Sequence, residues 1–472
     1  MGTEENSDIS ISREFNGADF GDIRLRKRLK KIASSMAREP AVGLPGASGS
    51  DSALEATYRF LGNERVSPEK ILAPHFRATS KRVVAERDVI IIHDTSIFCF
   101  TGEAERTGLC EITKEKQGFY GHLAFAVSAT REASPLGALS FQSFTRTRDK
   151  GRRPSSDIVD DPSRESLRWL HGVDQVEQRV GKRADLIHVM DRQADFYELL
   201  SRLVSQDCRF AIRISHDRRL FDDQSEGTLF SKLDKAEGVF SREVPLSRRK
   251  KSKMLGTRKS NPPRGYRIAN LTFSACSVEV KAPNHLRERC LQHLELNVVH
   301  VREYNPPLGE EPVDWKIATT DRIDSEENIA KIVDTYRKRW LIEEYFKSLK
   351  TGCAYEQRQL ESINTLLNVL AVTIPIAWRL LLLRSLSRTE PNSHGVNALT
   401  QTQIDVLRSF SNRKLPKQPT TQDLMLAVAA LGGHIKNNGN PGWLVLWRGF
   451  KKLLDYEQGW LAAITKKRCD QS

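Results

Sequence analysis

The spacing of apolar positions changes character several times along the chain. In "DIRLRKRLKKIASSMA" (22–37) the residues Ile23, Leu25, Leu29, Ile32 and Ala33 recur near one stripe, with Arg24, Arg26, Lys27, Arg28, Lys30 and Lys31 around them. That spacing predicts an amphipathic helix with a strongly basic face. "GLPGASGSDS" (43–52) predicts a loop, and "ALEATYRFLGN" (53–63) a second helix. From about Arg82 the period shortens. "RDVIIIHDTS" predicts a buried strand ending at Asp94, and "GHLAFAVSATREASPLGALSFQSF" a hairpin. "RESLRWLHGVDQVEQRV" predicts a helix, "ADLIHVMDRQAD" a strand ending at Asp191, "DFYELLSRLVSQ" a helix and "RFAIRIS" a strand. Strands alternating with helices imply a mixed sheet flanked by helices.

The segment from about 228 to 316 is β-rich, with "REVPL", "ANLTFSACSVEV", "LELNVVHVREY" and "VDWKIATT". It also holds a basic run, "SRRKKSKMLGTRKSNPPRGYR" (247–267), which predicts an exposed loop open to DNA contact or to solvent alone. Beyond Ile323 the pattern is helical. "LLNVLAVTIPIAWRLLLL" (366–383) is interrupted by Asn368, Pro375 and Arg379, which predicts a buried helix with a proline break rather than a membrane span. The expected division is a helical module over 1–75, an α/β domain over 76–370 carrying the β-rich insertion, and a helical region over 371–472.

Composition narrows the partners. The 472 residues carry a net charge of +14 at a pI near 9.4, which favours a polyanion, nucleic acid first. The seven cysteines are scattered with no C-x-x-C pair, which argues against a disulfide framework and a structural zinc site. The N-terminus "MGTEENSDIS" is polar and acidic, unlike a secretory leader, and a cytoplasmic protein with no membrane partner is expected.

The candidate chemistry lies in carboxylates. In "YRKRWLIEEYFKSLK" (336–350) a continuous helix would align Tyr336, Arg339, Glu343, Lys347 and Lys350 on one face beside the apolar Ile342, Phe346 and Leu349. Glu344 would turn to solvent. The column reads either as a salt-bridge ladder or as an acidic metal ligand among phosphate donors. Asp94 and Asp191 each end an apolar strand, where a sheet presents its site. Three converging carboxylates repel unless cations lie between them, and oxygen ligands suit Mg²⁺ or Mn²⁺. Two such ions about 4 Å apart suit phosphodiester chemistry. His93 is expected in the core rather than as a ligand.

These motifs together resemble the IS-four-type, Tn-five-like family of cut-and-paste DDE transposases. The resemblance rests on the helix with Tyr336, Arg339, Trp340, Ile342, Glu343, Glu344 and Lys350, on "DRQAD" around Asp191, and on "HDTS" at 93–96. Weaker agreements are "FGDIRLRKRL", "TYRFLGN", "ESLRWL" and "PGWLVLWRGF". It implies a ribonuclease-H-like catalytic core with a five-stranded mixed sheet, interrupted by the β-rich insertion subdomain. The catalytic and metal-binding triad would be Asp94, Asp191 and Glu343, holding two Mg²⁺ ions with Mn²⁺ able to substitute. Tyr336, Arg339 and Lys350 would contact DNA phosphate, Arg213 would contact the transposon end, and Trp315 would hold a flipped base; Lys347 joins them from the helix column. The implied partners are double-stranded DNA (terminal inverted repeats and target) and a second copy in a homodimer, at the bacterial nucleoid. The N-terminal module would recognise the ends and the C-terminal helices would dimerise. Two other classes stay open: a DNA-binding regulator that does not cut, and a metal-dependent host nuclease. Metal-dependent nicking excludes the first and strand-transfer products exclude the second.

Overall fold

The computed structural model describes residues 11–38, 42–102, 105–130, 133–146, 161–221, 227–246, 248, 264–389, 391–435 and 441–469. The basic run 247–267 therefore falls mostly outside the described residues. Four helices come first: α1 (Ile23–Arg38), α2 (Leu44–Ser48), α3 (Asp51–Leu61) and α4 (Pro68–Glu86). Then come β1 (Asp88–Phe100), β2 (Cys110–Thr113), β3 (Lys116–Ser128), β4 (Pro135–Phe144), α5 (Leu167–Arg179), β5 (Asp185–Met190), α6 (Tyr197–Ser205) and β6 (Arg209–Arg213). The insertion holds α7 (Leu229–Lys235), β7 (Phe240–Leu246), β8 (Arg267–Lys281), β9 (His293–Arg302) and β10 (Asp314–Thr319). The chain ends with α8 (Glu326–Arg337), α9 (Trp340–Lys347), α10 (Ile363–Thr389), α11 (Gln401–Phe410), α12 (Thr421–Leu431) and α13 (Trp443–Cys469).

Every strand predicted from an apolar run between 87 and 320 is present. The strands form one sheet of ten, which extends beyond the five strands expected for the core. β4, β3 and β1 pair antiparallel, and β1, β5 and β6 pair parallel. β6 does not end the sheet. Its outer edge pairs antiparallel with β10, which leads on through β9 and β8 to β7. The insertion is thus a continuation of the core sheet rather than a separate layer. An edge strand with open backbone groups is covered by this arrangement.

Alternation sorts the two faces. On β1, Val89 and Ile91 pack with Val176 of α5 and Val180 just after it, whereas Ile90 and Ile92 join the large core with Ile332, Val333 and Ile342 of α8 and α9. His93 therefore turns toward α5 and Asp94 toward α9. On β5, Ile187 and Val189 share the face that Asp191 continues, and His188 faces the other way.

Several helical expectations change. Half of "GLPGASGSDS" is the short helix α2, started by Pro45 in its first turn, where a missing N–H costs nothing. α4 runs unbroken past 75, and α10 runs past 370, so both expected domain boundaries fall inside helices. Pro375 does not break α10. Nearby carbonyls take side-chain donors from the neighbouring segment: Tyr345 Oη donates to Ile374 O and Ser348 Oγ to Ala377 O, at 2.9 and 2.8 Å. The stretch Ile363–Leu382 is long and apolar enough to cross a membrane, but 83% of its apolar window is buried in the protein.

Buried Glu14 ties the N-terminal segment to the body. It accepts from Arg82 Nη1 at 2.8 Å and pairs with His75 Nδ1, while His75 Nε2 accepts from the Ala138 N–H. The imidazole thus carries its proton on Nδ1 and is neutral, because burial outweighs the attraction of Glu14. Despite its burial, the hydrogen bond from His75 and the charge and hydrogen bonds of Arg82 hold Glu14 well below the usual carboxylate range, at a pKa of about 2.

Candidate active site

Asp94 occupies the outward half of β1, and Asp191 follows β5 directly, so parallel pairing sets the two side by side at one sheet edge. Glu343 enters from the first turn of α9. Arg339 stands between them. Its Nη1 donates to Asp94 Oδ2 and its Nη2 to Glu343 Oε1, both at 3.0 Å. Asp191 lies close enough to add to the field on both Asp94 and Arg339. The three carboxylates do not meet within 4.8 Å of one another.

The electrostatics are those of a site short of positive charge. Burial raises the Asp94 carboxyl to a pKa of about 7; Asp191 and Glu343 add to the rise, and Arg339 and the Thr95 N–H oppose it. Glu343 is also raised, chiefly by burial, against the pull of Arg339 and Lys347. Arg339 is raised in spite of its own burial, by Asp94, Tyr336, Glu343 and Asp191. One guanidinium cannot balance three carboxylates. An all-oxygen donor set with surplus negative charge fits a hard divalent cation.

Each aspartate is held from behind. Asp94 Oδ1 accepts from the Thr95 N–H at 2.7 Å, and Asp191 Oδ1 from the Gln193 N–H at 2.8 Å. Arg168, from α5, reaches both supporting residues: its Nε donates to Thr95 Oγ1 at 3.0 Å and its Nη2 to Gln193 Oε1 at 3.1 Å. A single side chain thus spans the strand and the turn that carry the aspartates. Asp195, the second acid of "DRQAD", is buried and accepts from the backbone of His216 at 2.8 Å, pinning the turn after β6. Sequence reasoning singled out none of Arg168, Thr95, Gln193 or Asp195. The only signals were the motifs "ESLRWL", "HDTS" and "DRQAD" in which they sit.

The candidate DNA contacts divide. Tyr336, Arg213 and Trp315 gather beside the carboxylates. The Trp315 and Tyr336 rings meet edge to face at 5.8 Å, and the Arg213 guanidinium lies 5.7 Å from the Trp315 ring centre. Tyr336 is buried and its hydroxyl is raised by that burial, against Arg339 and Arg213.

The lysines do not share one straight column with them. The expected continuous helix is broken between Arg337 and Trp340, where Lys338 and Arg339 bond to carbonyls three residues back. After Lys347 the helix opens into a π turn at Ser348–Gly352. Lys350 lies within that turn and reaches the Ile97 carbonyl and Glu356 (3.4 Å), farther out along β1 than Asp94. Lys347 pairs with Glu344 at 2.6 Å and lies over the exposed Trp340 ring.

Glu344 corrects a further expectation. It is not solvated: its other oxygen accepts from Arg384 of α10 at 2.7 Å, and both side chains are largely covered. His93 is a core residue, as expected, with Nε2 bonded to His188 Nδ1 on the sheet face away from the carboxylates. A cleft of about 1120 Å³ between α4, β4 and α5 contains none of the site residues.

Comparison with protein families gives two matches. Residues 10–66 match the family described as transposase DNA-binding, and residues 173–373 match the transposase DDE domain. The chain carries a transposase DNA-binding domain and a DDE transposase domain. The DDE match includes Asp191, Arg213, Trp315, Tyr336, Arg339, Glu343, Lys347 and Lys350. Asp94 lies before it, and joins the site through the β1–β5 ladder and Arg339. The DNA-binding match contains α1 with its basic face. A DNA transposase follows from the two domains together, and its DDE domain implies dependence on a divalent metal.

Proposed function

We propose that this transposase works by cutting and pasting: it binds the terminal inverted repeats of its element, cleaves there, and joins the freed ends to target DNA. Asp94, Asp191 and Glu343 are the ligands of two Mg²⁺ ions, which Mn²⁺ can replace. Held by these carboxylates, the ions would supply positive charge for the oxygens of the phosphodiester undergoing substitution. The single observation that carries the reading is the Arg339 guanidinium held between Asp94 and Glu343, with Asp191 in the same field.

The protein's own groups orient and exclude. Backbone N–H groups of Thr95 and Gln193 fix one oxygen of each aspartate, and the second oxygen of Asp94 accepts from Arg339. Arg339, Arg213 and the Tyr336 hydroxyl offer donors to the phosphates of a cleaved end, and Lys350 does so farther along the strand. The half-buried Trp315 offers a ring against which an extruded base can stack. No side chain acts as a covalent nucleophile, because water and the freed 3′-hydroxyl serve in turn. Two copies act together at paired ends, with the C-terminal helices as the dimer contact, at the bacterial nucleoid.

The test uses DNA carrying the element's ends. Asp94→Asn, Asp191→Asn and Glu343→Gln should each lose Mg²⁺-dependent cleavage while retaining end binding. Full cleavage by any one of them contradicts the assignment. A monomer in sedimentation with end DNA bound contradicts the paired arrangement.

A further inference from the structure

The described residues contain one other group of side chains suited to a metal, and it does not belong to the carboxylate site. Glu177 of α5, His188 of β5 and Cys208 just before β6 bring Oε1, a ring nitrogen and Sγ within 4.8 Å of one another. His188 and Cys208 are buried. They lie toward the opposite edge of the parallel strands from Asp94 and Asp191. Glu177 and Cys208 line a cleft of about 750 Å³ whose rim is built from the first residues of β1, β5 and β6, namely Asp88, Asp185 and Arg209.

We propose that Glu177, His188 and Cys208 form a second metal site, selective for a thiophilic divalent ion of the zinc class, with its fourth position open to the cleft. Sulfur, imidazole and carboxylate are the donor set of zinc and its neighbours, whereas Mg²⁺ takes oxygen. The two sites of this chain therefore sort ions by chemistry. His188 Nε2 and Glu177 Oε1 are 3.0 Å apart, and Cys208 Sγ completes a group in which all three atoms lie within 4.8 Å of one another.

The surroundings are also those of a ligating histidine. With Nε2 toward the ion, His188 Nδ1 carries its proton and donates to His93 Nε2 at 2.9 Å, the kind of outer contact that fixes a ligand's tautomer and ring plane. Room for these rings comes from Gly172 in α5, where a Cβ would stand 3.1 Å from His93 Nδ1. The site joins α5 to β5 and β6, and β5 leads three residues later to Asp191. The proposal is independent of the transposition reading, because it uses none of the same side chains.

The test is made on the full chain carrying Asp191→Asn and Glu343→Gln, so that the carboxylate site is removed, stripped with chelator under a non-thiol reductant. One equivalent of Zn²⁺ should bind in competition with a chromophoric chelator. Co²⁺ should give a thiolate-to-cobalt absorption band in the near ultraviolet. Cys208→Ser should abolish that band, and Glu177→Gln, half-exposed and tolerant of change, should keep it with about tenfold weaker binding. In the unsubstituted chain, Zn²⁺ but not Mg²⁺ should protect Cys208 from alkylation, read by peptide mass, which requires no variant to fold. Absence of the band, its survival in Cys208→Ser, or equal alkylation with and without Zn²⁺ overturns the site.

Discussion

At the residue scale, Arg168 donates to Thr95 and Gln193, the residues on which both aspartates depend. Arg168→Ala should lower cleavage by about tenfold or more and raise the Mg²⁺ concentration needed, with end binding within about twofold of the parent. Unchanged Mg²⁺ dependence would make it a packing residue only. Glu14 gives a pH-dependent counterpart. Its folded pKa of about 2 lies below the unfolded value near 4.5, so its ionised form stabilises the fold above that value, and the stabilisation is lost as pH falls through 2. Glu14→Gln should cost on the order of 3 kcal/mol at pH 7, and the gap to the parent should shrink as pH falls toward 3 in denaturant titrations. A gap that is constant with pH would show that Glu14 contributes shape rather than charge. The carboxylates and the Tyr, Arg and Trp beside them were legible as residue types in short motifs. Arg168 and Asp195 were not, since their partners are distant in sequence and only the fold joins them.

At the element scale, apolar runs predicted the strands because buried sheets demand them, and the register then placed Asp94 and Asp191 on one face. The helix around Glu343 was legible in outline only. A uniform 100° step hid the tightening at Lys338–Arg339 and the π turn after Lys347, which redirect Lys347 and Lys350. It also mistook Glu344 for a solvated residue. Linked to Arg384 on α10, Glu344 tethers α9, and Glu344→Ala should cost on the order of 2 kcal/mol in thermal or denaturant unfolding. A cost near zero would return it to the solvated class. The C-terminal helices hold a second constraint. A Cβ on Gly449 of α13 would fall 1.6 Å from the Val428 carbonyl of α12, so these backbones touch. Gly449→Ala should lower the melting temperature by several degrees, on the order of 1–3 kcal/mol, while the corresponding change at open Gly459 should not.

At the scale of the whole molecule, the +14 charge and the basic α1 within the DNA-binding match belong to one account of polyanion binding. Arg26, Lys27 and Lys31 are exposed on α1. Replacing all three with Gln should flatten the salt dependence of end binding by up to about three counterions. An unchanged slope would make that face a solvated surface. The order of elements was legible from sequence because hydrophobic period follows burial locally. The continuity of the ten-stranded sheet and the helices that cross both expected domain boundaries were not, because pairing between β6 and β10 and packing of α4 and α10 on the core are long-range. The Glu177–His188–Cys208 group illustrates the same limit, because three elements separate in sequence bring it together.

Whether Asp94, Asp191 and Glu343 act as one metal-dependent site for cutting transposon ends is read from nicking of end DNA by the three single variants in Mg²⁺, with binding followed on the same samples. Bound but uncut DNA is expected for all three. Cleavage at the parent's rate by any one of them would contradict that expectation.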